Sequence, residues 1–267
     1  VVVALGPETV IERGERKIQR AWKILNGKLV SVNGHYLRVE RKGRRGPTVV
    51  FDSGLSQLLD TWGSIPDEVA ARTGVIVYER AGVGESDPID TVRTSREIVE
   101  DLHALLDETG AAKPYILVGH SFGGLNVRLF ASRYPDDVAG MLLIDASHES
   151  QFLRYAEIMP VDQRVPFLRH ERGENLERVN MLASGRQVGA ARLRPMPAII
   201  LTAGAERVKA ALDERERAHL EFQAELVRLV PGSRQIIADK SGHFIQKDQP
   251  DLVVKSIFEL TAKAGRK

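Results

Sequence analysis

Residues Gly119-His120-Ser121-Phe122-Gly123 read G-x-S-x-G, and they fall between a short apolar run and a helix-patterned one. Ahead of them, Tyr115-Ile116-Leu117-Val118 follows Pro114 and has the make-up of a buried strand. Behind them, residues 125–134 set Leu125, Leu129 and Phe130 on one side of a helix. A chain that turns from strand to helix through a serine in this setting makes a tight, strained bend and exposes the hydroxyl. Such a bend leaves no space for side chains two residues to either side of the serine, which accounts for the flanking glycines. The chain is therefore built to present Ser121 at the end of a strand.

The rest of the sequence supplies the scaffold that such a turn needs. Residues 29–32 and 36–39 predict two strands joined at Asn33-Gly34, a two-residue hairpin signal. Apolar strands are expected at 48–51, 75–78, 138–144, 198–202 and 235–238. Helical patterns cover 94–109, capped by Thr94 or Ser95, then about 208–229 and 248–262. Strands that alternate with helices imply an α/β fold: a mostly parallel central sheet with helices on both faces, here opened by an antiparallel hairpin. Residues 148–195 break the rhythm. They lack a clear strand and carry Pro160, Pro166 and Pro195, with Pro197 just beyond. They are expected to form a small helical lid inserted into a core of residues 28–147 and 196–267. Residues 1–27 read as an N-terminal extension, charged with helical spacing over 8–25.

Composition sets limits on function. With 267 residues, 43% hydrophobic and 28% charged, one large domain with a substantial core is expected. A net charge of +2, with the basic residues scattered, argues against a nucleic-acid partner; Arg41-Lys42-Gly43-Arg44-Arg45 reads as a solvated turn. The absence of cysteine removes disulfides and thiolate chemistry. Arg80-Ala81-Gly82-Val83-Gly84-Glu85-Ser86 lacks the third glycine of a dinucleotide fingerprint and reads as a tight turn shaping the site rim. No Walker-type loop, H-E-x-x-H or EF-hand pattern is present. No metal or cofactor is expected. The chain has no full signal peptide or membrane-spanning run, and a cytoplasmic location is expected. The apolar opening Val1-Val2-Val3-Ala4-Leu5 fits a first strand, a trimmed chain or the tail of a removed leader. A membrane-anchored or exported protein is thus the alternative. The oligomeric state is left open.

A serine hydroxyl is a weak nucleophile until a base takes its proton. Of the seven histidines, His243 in Ser241-Gly242-His243-Phe244 follows the last predicted strand. The strands of a parallel sheet end on one edge, where His243 and Ser121 can meet. His148 follows another strand end and is placed to line a pocket. His120 is directed away by the bend, and His35, His103, His170 and His219 suit surface or packing sites. A carboxylate must orient the base. Asp145 ends the strand at 138–144, and Glu206 follows the strand at 198–202, so either can serve. The N–H groups of Phe122, next to the nucleophile, and of Leu55, in Asp52-Ser53-Gly54-Leu55-Ser56, are candidates for an oxyanion hole. In the insertion, Phe152, Met159 and Phe167, with Leu153 and Leu168, are candidates for an apolar substrate pocket or for packing of the lid.

Taken together, Phe51-Asp52-Ser53-Gly54-Leu55, the turn from Tyr78 to Ser86, the elbow from Gly119 to Gly124 and Ser241-Gly242-His243-Phe244 resemble the α/β-hydrolase superfamily, over about residues 29–262. The resemblance implies the α/β-hydrolase fold and supports Ser121 and His243 as nucleophile and base. Many members carry His-Gly where this chain has Ser53-Gly54, and many place the acid after the strand at 198–202, whereas some branches place it one strand earlier, as Asp145 would be. The implied activity is a serine hydrolase that cleaves small to medium carboxylic esters through an acyl-enzyme. Amide, lactone or carbon–carbon hydrolysis and cofactor-free perhydrolysis stay open on the same residues, as does a non-catalytic ligand-binding role. Epoxide hydrolases and dehalogenases of this resemblance need an aspartate where Ser121 stands.

Overall fold

The computed structural model describes residues 17, 21, 28–43, 46–204, 213–229 and 232–265. Its centre is an eight-stranded sheet: β1 (Leu29–Val32), β2 (His35–Lys42), β3 (Thr48–Asp52), β4 (Gly74–Tyr78), β5 (Tyr115–His120), β6 (Val138–Ile144), β7 (Ala198–Ala203) and β8 (Arg234–Ala238). The strand order is β1-β2-β4-β3-β5-β6-β7-β8. The β1–β2 and β2–β4 pairs are antiparallel, and every other pair is parallel. The predicted hairpin forms at Asn33-Gly34, both with positive φ (45° and 89°), as a two-residue turn of matching twist requires.

Strands β3, β4, β5 and β6 are buried along their whole length. That follows from their unbroken apolar composition, because a parallel strand is covered on both faces. Alternate side chains feed two cores. Val50, Leu117 and Leu143 join one with Leu102, Leu106 and Phe130; Val49, Phe51, Ile116 and Leu142 join the other with Trp62, Ile257 and Leu260. Helices α2 (Ser95–Glu108) and α3 (Gly123–Arg133) supply the first, α1 (Ile65–Ala70) the second. Of the two cap residues considered for α2, Thr94 takes the role. Its hydroxyl accepts from Arg96 N–H while Glu97 reaches back to Thr94 N–H at 2.7 Å, a reciprocal capping box.

Residues 148–195 form three helices, α4 (Gln151–Ile158), α5 (Val161–Glu171) and α6 (Met181–Gly189). The chain then returns through β7, α7 (Glu214–Leu229), β8, the short α8 (Ile245–Asp248) and α9 (Pro250–Ala264). The expected start of α7 near residue 208 lies outside the described residues, as do Val1 to Leu5 and most of residues 8–25. The parallel strands all end on one edge, and Asp52, Ser121, Asp145 and His243 all lie there.

Helix α3 begins hard against the end of β3. A Cβ on Gly123 would overlap the Asp52 carbonyl and stand 2.7 Å from the Ser53 oxygen, both rigid backbone. Gly123→Ala should therefore destabilise the fold by roughly 1–3 kcal/mol, the range for overpacking a closed site. Gly242, whose Cβ would meet nothing within 4 Å, is the control. Gly242→Ala should stay within about 0.5 kcal/mol. Urea unfolding of both variants checks the contrast.

Candidate active site

Ser121 sits between β5 and α3 with φ +51°, a left-handed conformation that costs a non-glycine residue energy and has to be held in place by its surroundings. The hold comes from three backbone bonds. Ser121 N–H donates to Ile144 C=O at 3.1 Å, and Ser121 C=O accepts from Gly124 N–H at 3.0 Å and Ser147 N–H at 2.9 Å. A Cβ on Gly119 would lie 2.7 Å from both the Gly123 oxygen and Val127, so the bend closes only with glycine there. With its main chain fixed, the half-buried Ser121 keeps a hydroxyl that has no hydrogen-bond partner among the described residues.

One strand over, Asp145 caps β6 and is also held at positive φ (40°). Its N–H donates to Leu201 C=O at 2.8 Å, which fastens it to β7. Oδ2 lies 2.7 Å from His243 Nδ1. Oδ1 accepts from Ala203 N–H at 3.0 Å and lies 3.0 Å from Nε2 of a second histidine, His219 on α7. Burial raises the carboxyl pKa, but the hydrogen bonds and charges of His219 and His243 outweigh it and hold Asp145 well below the usual carboxylate range. Asp145 therefore faces both imidazoles as a carboxylate. Glu206, the alternative acid, lies outside the described residues.

His243 is 44% exposed, which leaves it open to a bound molecule. Its loop is tied to the neighbour of Ser121: His120 Nε2 lies 2.9 Å from the His243 carbonyl, and the two rings are 4.7 Å apart. His120 is fully buried, and burial, with the nearby His243, pushes its pKa down to about 3. Its Nδ1 lies 3.1 Å from Gln57 Oε1, so the ring bridges the loop after β3 and the His243 carbonyl. His120 thus braces the loop that carries His243, a role hidden by its place one residue before the nucleophile.

The loop after β3 passes beside this corner. Trp62 Nε1–H donates to Ser53 Oγ at 2.9 Å, and Gly54 C=O accepts from Gln57 N–H at 3.2 Å. Among the described residues, the N–H groups of Leu55 and Phe122 donate to no protein acceptor. Phe122 N–H is one of the open donors at the start of α3.

The lid residues divide. Phe152 is buried in the larger core. Met159, just past α4, and Phe167, on α5, are half-buried, and Phe167 packs with Tyr155, Phe222 and Ile158. His148 is turned inward and stacks on Phe222 at 4.7 Å, with Nε2 near Glu149 and Glu225. Sequence reasoning missed His219 and Tyr155, whose hydroxyl lies 3.4 Å from His219 Nδ1. No sequence signal pairs α4 with α7. Among the described residues, no group of three His, Asp or Glu side chains is arranged to hold a metal ion, and no helix is long and apolar enough to cross a membrane.

The buried His120 makes stability depend on pH. Its folded pKa lies below the ordinary 6.5, so between 6.5 and about 3 the unfolded chain binds a proton that the folded chain refuses. Stability from this group is complete above 6.5 and is lost as pH falls, at about 1.4 kcal/mol per unit. His120→Gln should flatten that decline by about one proton, read from urea unfolding at pH 7 and pH 5.

The fold has counterparts in known proteins. The family model for the alpha/beta hydrolase fold matches residues 47–215. An uncharacterized protein of Bacillus subtilis, YqjL, is 30% identical over 227 residues, covering 84% of this chain and 87% of that protein. Two solved structures share the architecture. Alpha/beta hydrolase domain-containing protein 10 from mouse has a TM-score of 0.68 at 18% identity, over 88% of this chain and 98% of that one. A thermophilic esterase from Thermogutta terrifontis has a TM-score of 0.61 at 22% identity, over 89% and 97%. The chain belongs to the alpha/beta hydrolase family.

Proposed function

We propose that this hydrolase is a serine esterase acting on carboxylic esters of small to medium acyl chain. The observation that carries the reading is the 2.7 Å contact between His243 Nδ1 and Asp145 Oδ2, beside a serine held at positive φ on the next strand end. Asp145 fixes the tautomer of His243, which leaves Nε2 as the base. Nε2 takes the proton of Ser121 Oγ as Oγ bonds to the ester carbonyl carbon. The carbonyl oxygen becomes an oxyanion and accepts hydrogen bonds from Leu55 and Phe122 N–H. The intermediate collapses, the bond to the alkoxy oxygen breaks, and the alcohol leaves with the proton from His243. Water, deprotonated by His243, then attacks the acyl-enzyme; the carboxylic acid departs and Ser121 regains its proton.

Met159 and Phe167 on the lid, with the exposed Phe244 ring 5.4 Å from that of His243, offer apolar contacts for the acyl or alcohol group. Phe152, packed in the core, is the least accessible of the three lid candidates. The substrate is a small molecule, and the chemistry asks for no metal, cofactor or nucleic acid. The likeness to the Thermogutta esterase is one of fold and is consistent with this reading.

Hydrolysis of p-nitrophenyl esters of increasing acyl length tests the proposal. Native protein should turn over short and medium esters and take up one equivalent of a fluorophosphonate. Ser121→Ala should lose both, and loss of neither would sink the serine reading. Asp145→Asn should lower kcat by as much as 10⁴, the scale known for a mis-oriented histidine. An Asp145→Asn variant with unchanged kcat would move the acid role elsewhere. Activity confined to lactones or amides would redirect the substrate class while leaving the same residues in place.

A further inference from the structure

A buried ion cluster lies beneath the loop that carries Leu55. Arg80, the second residue past β4, is 4% exposed and spends all five of its N–H donors on protein acceptors. Nε donates to Glu177 Oε2 at 2.8 Å. Nη1 donates to Asp52 Oδ1 at 2.5 Å and to the Ser53 carbonyl at 2.8 Å. Nη2 donates to Glu177 Oε1 at 2.8 Å and to the Gly54 carbonyl at 2.7 Å. Glu177, fully buried, also accepts from Ser56 N–H. Glu177 belongs to the lid, in the segment between α5 and α6. That segment is pinned on its far side, where Arg93 N–H donates to Arg178 C=O and Asn180 N–H to Arg93 C=O, both at 2.8 Å.

These bonds fix more than the place of the loop. The C=O and N–H of a trans peptide point in opposite directions in one plane. The Gly54 carbonyl is gripped by Arg80, so the other end of that peptide unit, the Leu55 N–H, faces away from the guanidinium. The next amide, Ser56 N–H, is consumed by Glu177, so of these two donors only Leu55 N–H stays free. We infer that Arg80 and the lid residue Glu177 are positioning residues, which together aim the Leu55 N–H of the oxyanion hole. The inference rests on the esterase reading. It makes the lid a part of the catalytic geometry as well as a cover: if Glu177 lets go, Arg80 loses its orientation and the Gly54 peptide is free to rotate.

The test separates oxyanion stabilisation from substrate binding. The variants are Arg80→Lys, which keeps the charge but loses the planar fork, and the near-isosteric Glu177→Gln. Each is assayed with p-nitrophenyl acetate and for inhibition by phenylboronic acid, whose tetrahedral adduct with a serine carries an oxygen in the oxyanion position. Removing one oxyanion donor costs on the order of 10²–10³ in kcat. Arg80→Lys should therefore lower kcat roughly 10–100-fold with KM little changed, and weaken boronate inhibition by a like factor. Glu177→Gln should show the same pattern at a smaller size, and it carries the test alone if Arg80→Lys does not fold. Folded variants with native kcat and native boronate affinity would overturn the inference, as would a rise in KM with no loss of boronate affinity. A native chain that neither hydrolyses esters nor takes up the fluorophosphonate would remove the esterase reading and this one with it. Failure of the variants alone, in an active native enzyme, would remove only the positioning role.

Discussion

The close approach of α3 to the end of β3 is the constraint on which the site depends. Helices in an α/β layer ordinarily stand off the sheet by the width of their side chains, and here the first turn of α3 has none at Gly123. The helix start therefore rests on the Asp52 and Ser53 carbonyls. That contact forces the sharp bend at Ser121 and sets the helix N-terminus, with its unpaired N–H groups, beside the loop after β3. The left-handed φ of Ser121 is the local cost, offset by backbone bonds to Ile144, Gly124 and Ser147. One missing side chain thus brings the hydroxyl, the Phe122 N–H and the Leu55 loop to the same corner.

The carboxylate of Asp145 is partitioned in a way that serves the same corner. Oδ2 is left to His243 alone, while Oδ1 is occupied by Ala203 N–H and His219. A carboxyl group bonded on both oxygens cannot swing, so the His243 ring has a fixed partner. His219 is backed by Tyr155 on the lid helix α4. The 148–195 segment therefore reaches the site by two routes, through Tyr155 and His219 to Asp145, and through Glu177 and Arg80 to the loop after β3. Both routes consist of buried or half-buried polar contacts, which suits a lid seated on the core.

Much of this was legible in the sequence wherever the signal was local. All eight strands were marked locally, the inner ones by unbroken apolar runs that follow from burial on both faces, β2 by alternation, and the hairpin by Asn33-Gly34. The meeting of Ser121, His243 and Asp145 at one edge was legible for the same reason: each closes or follows a strand, and parallel strands end together. What was hidden depends on pairs far apart in sequence. Arg80 and Glu177 are 97 positions apart, and Glu177 stands in the charged stretch Glu171-Arg172-Gly173-Glu174-Asn175-Leu176-Glu177-Arg178, which reads as solvated surface. The turn from Arg80 to Ser86 reads as a rim in the sequence, and Gly82 and Gly84 do take positive φ there, yet its arginine is buried in the core. His219 lies on an exposed-looking helix, and only the tertiary packing of α7 against β7 directs it to Asp145.

A buried group of two carboxylates and one guanidinium beside the proposed oxyanion site poses an electrostatic question, since a net negative charge would oppose a charge developing on a substrate there. Two features lessen the conflict. The Arg80 guanidinium lies between Asp52 and Glu177, so each carboxylate faces the cation. Tyr78 O–H, at 2.8 Å, and Asn126 Nδ2–H donate to Asp52 and spread its charge away from the loop. Burial pushes the Asp52 carboxyl up, against the pull of Arg80, Tyr78 and Asn126, which hold the charged form. The Gly54 peptide dipole, with its oxygen on the Arg80 cation, turns its positive N–H end away from the carboxylates. Replacing such a pair with apolar side chains often leaves a fold as stable or more so, and an apolar pair here would leave the Ser53 and Gly54 carbonyls without donors and the peptide without a direction. Direction is what the cluster supplies: by holding the Gly54 carbonyl it also sets the Leu55 N–H at the other end of the same peptide unit.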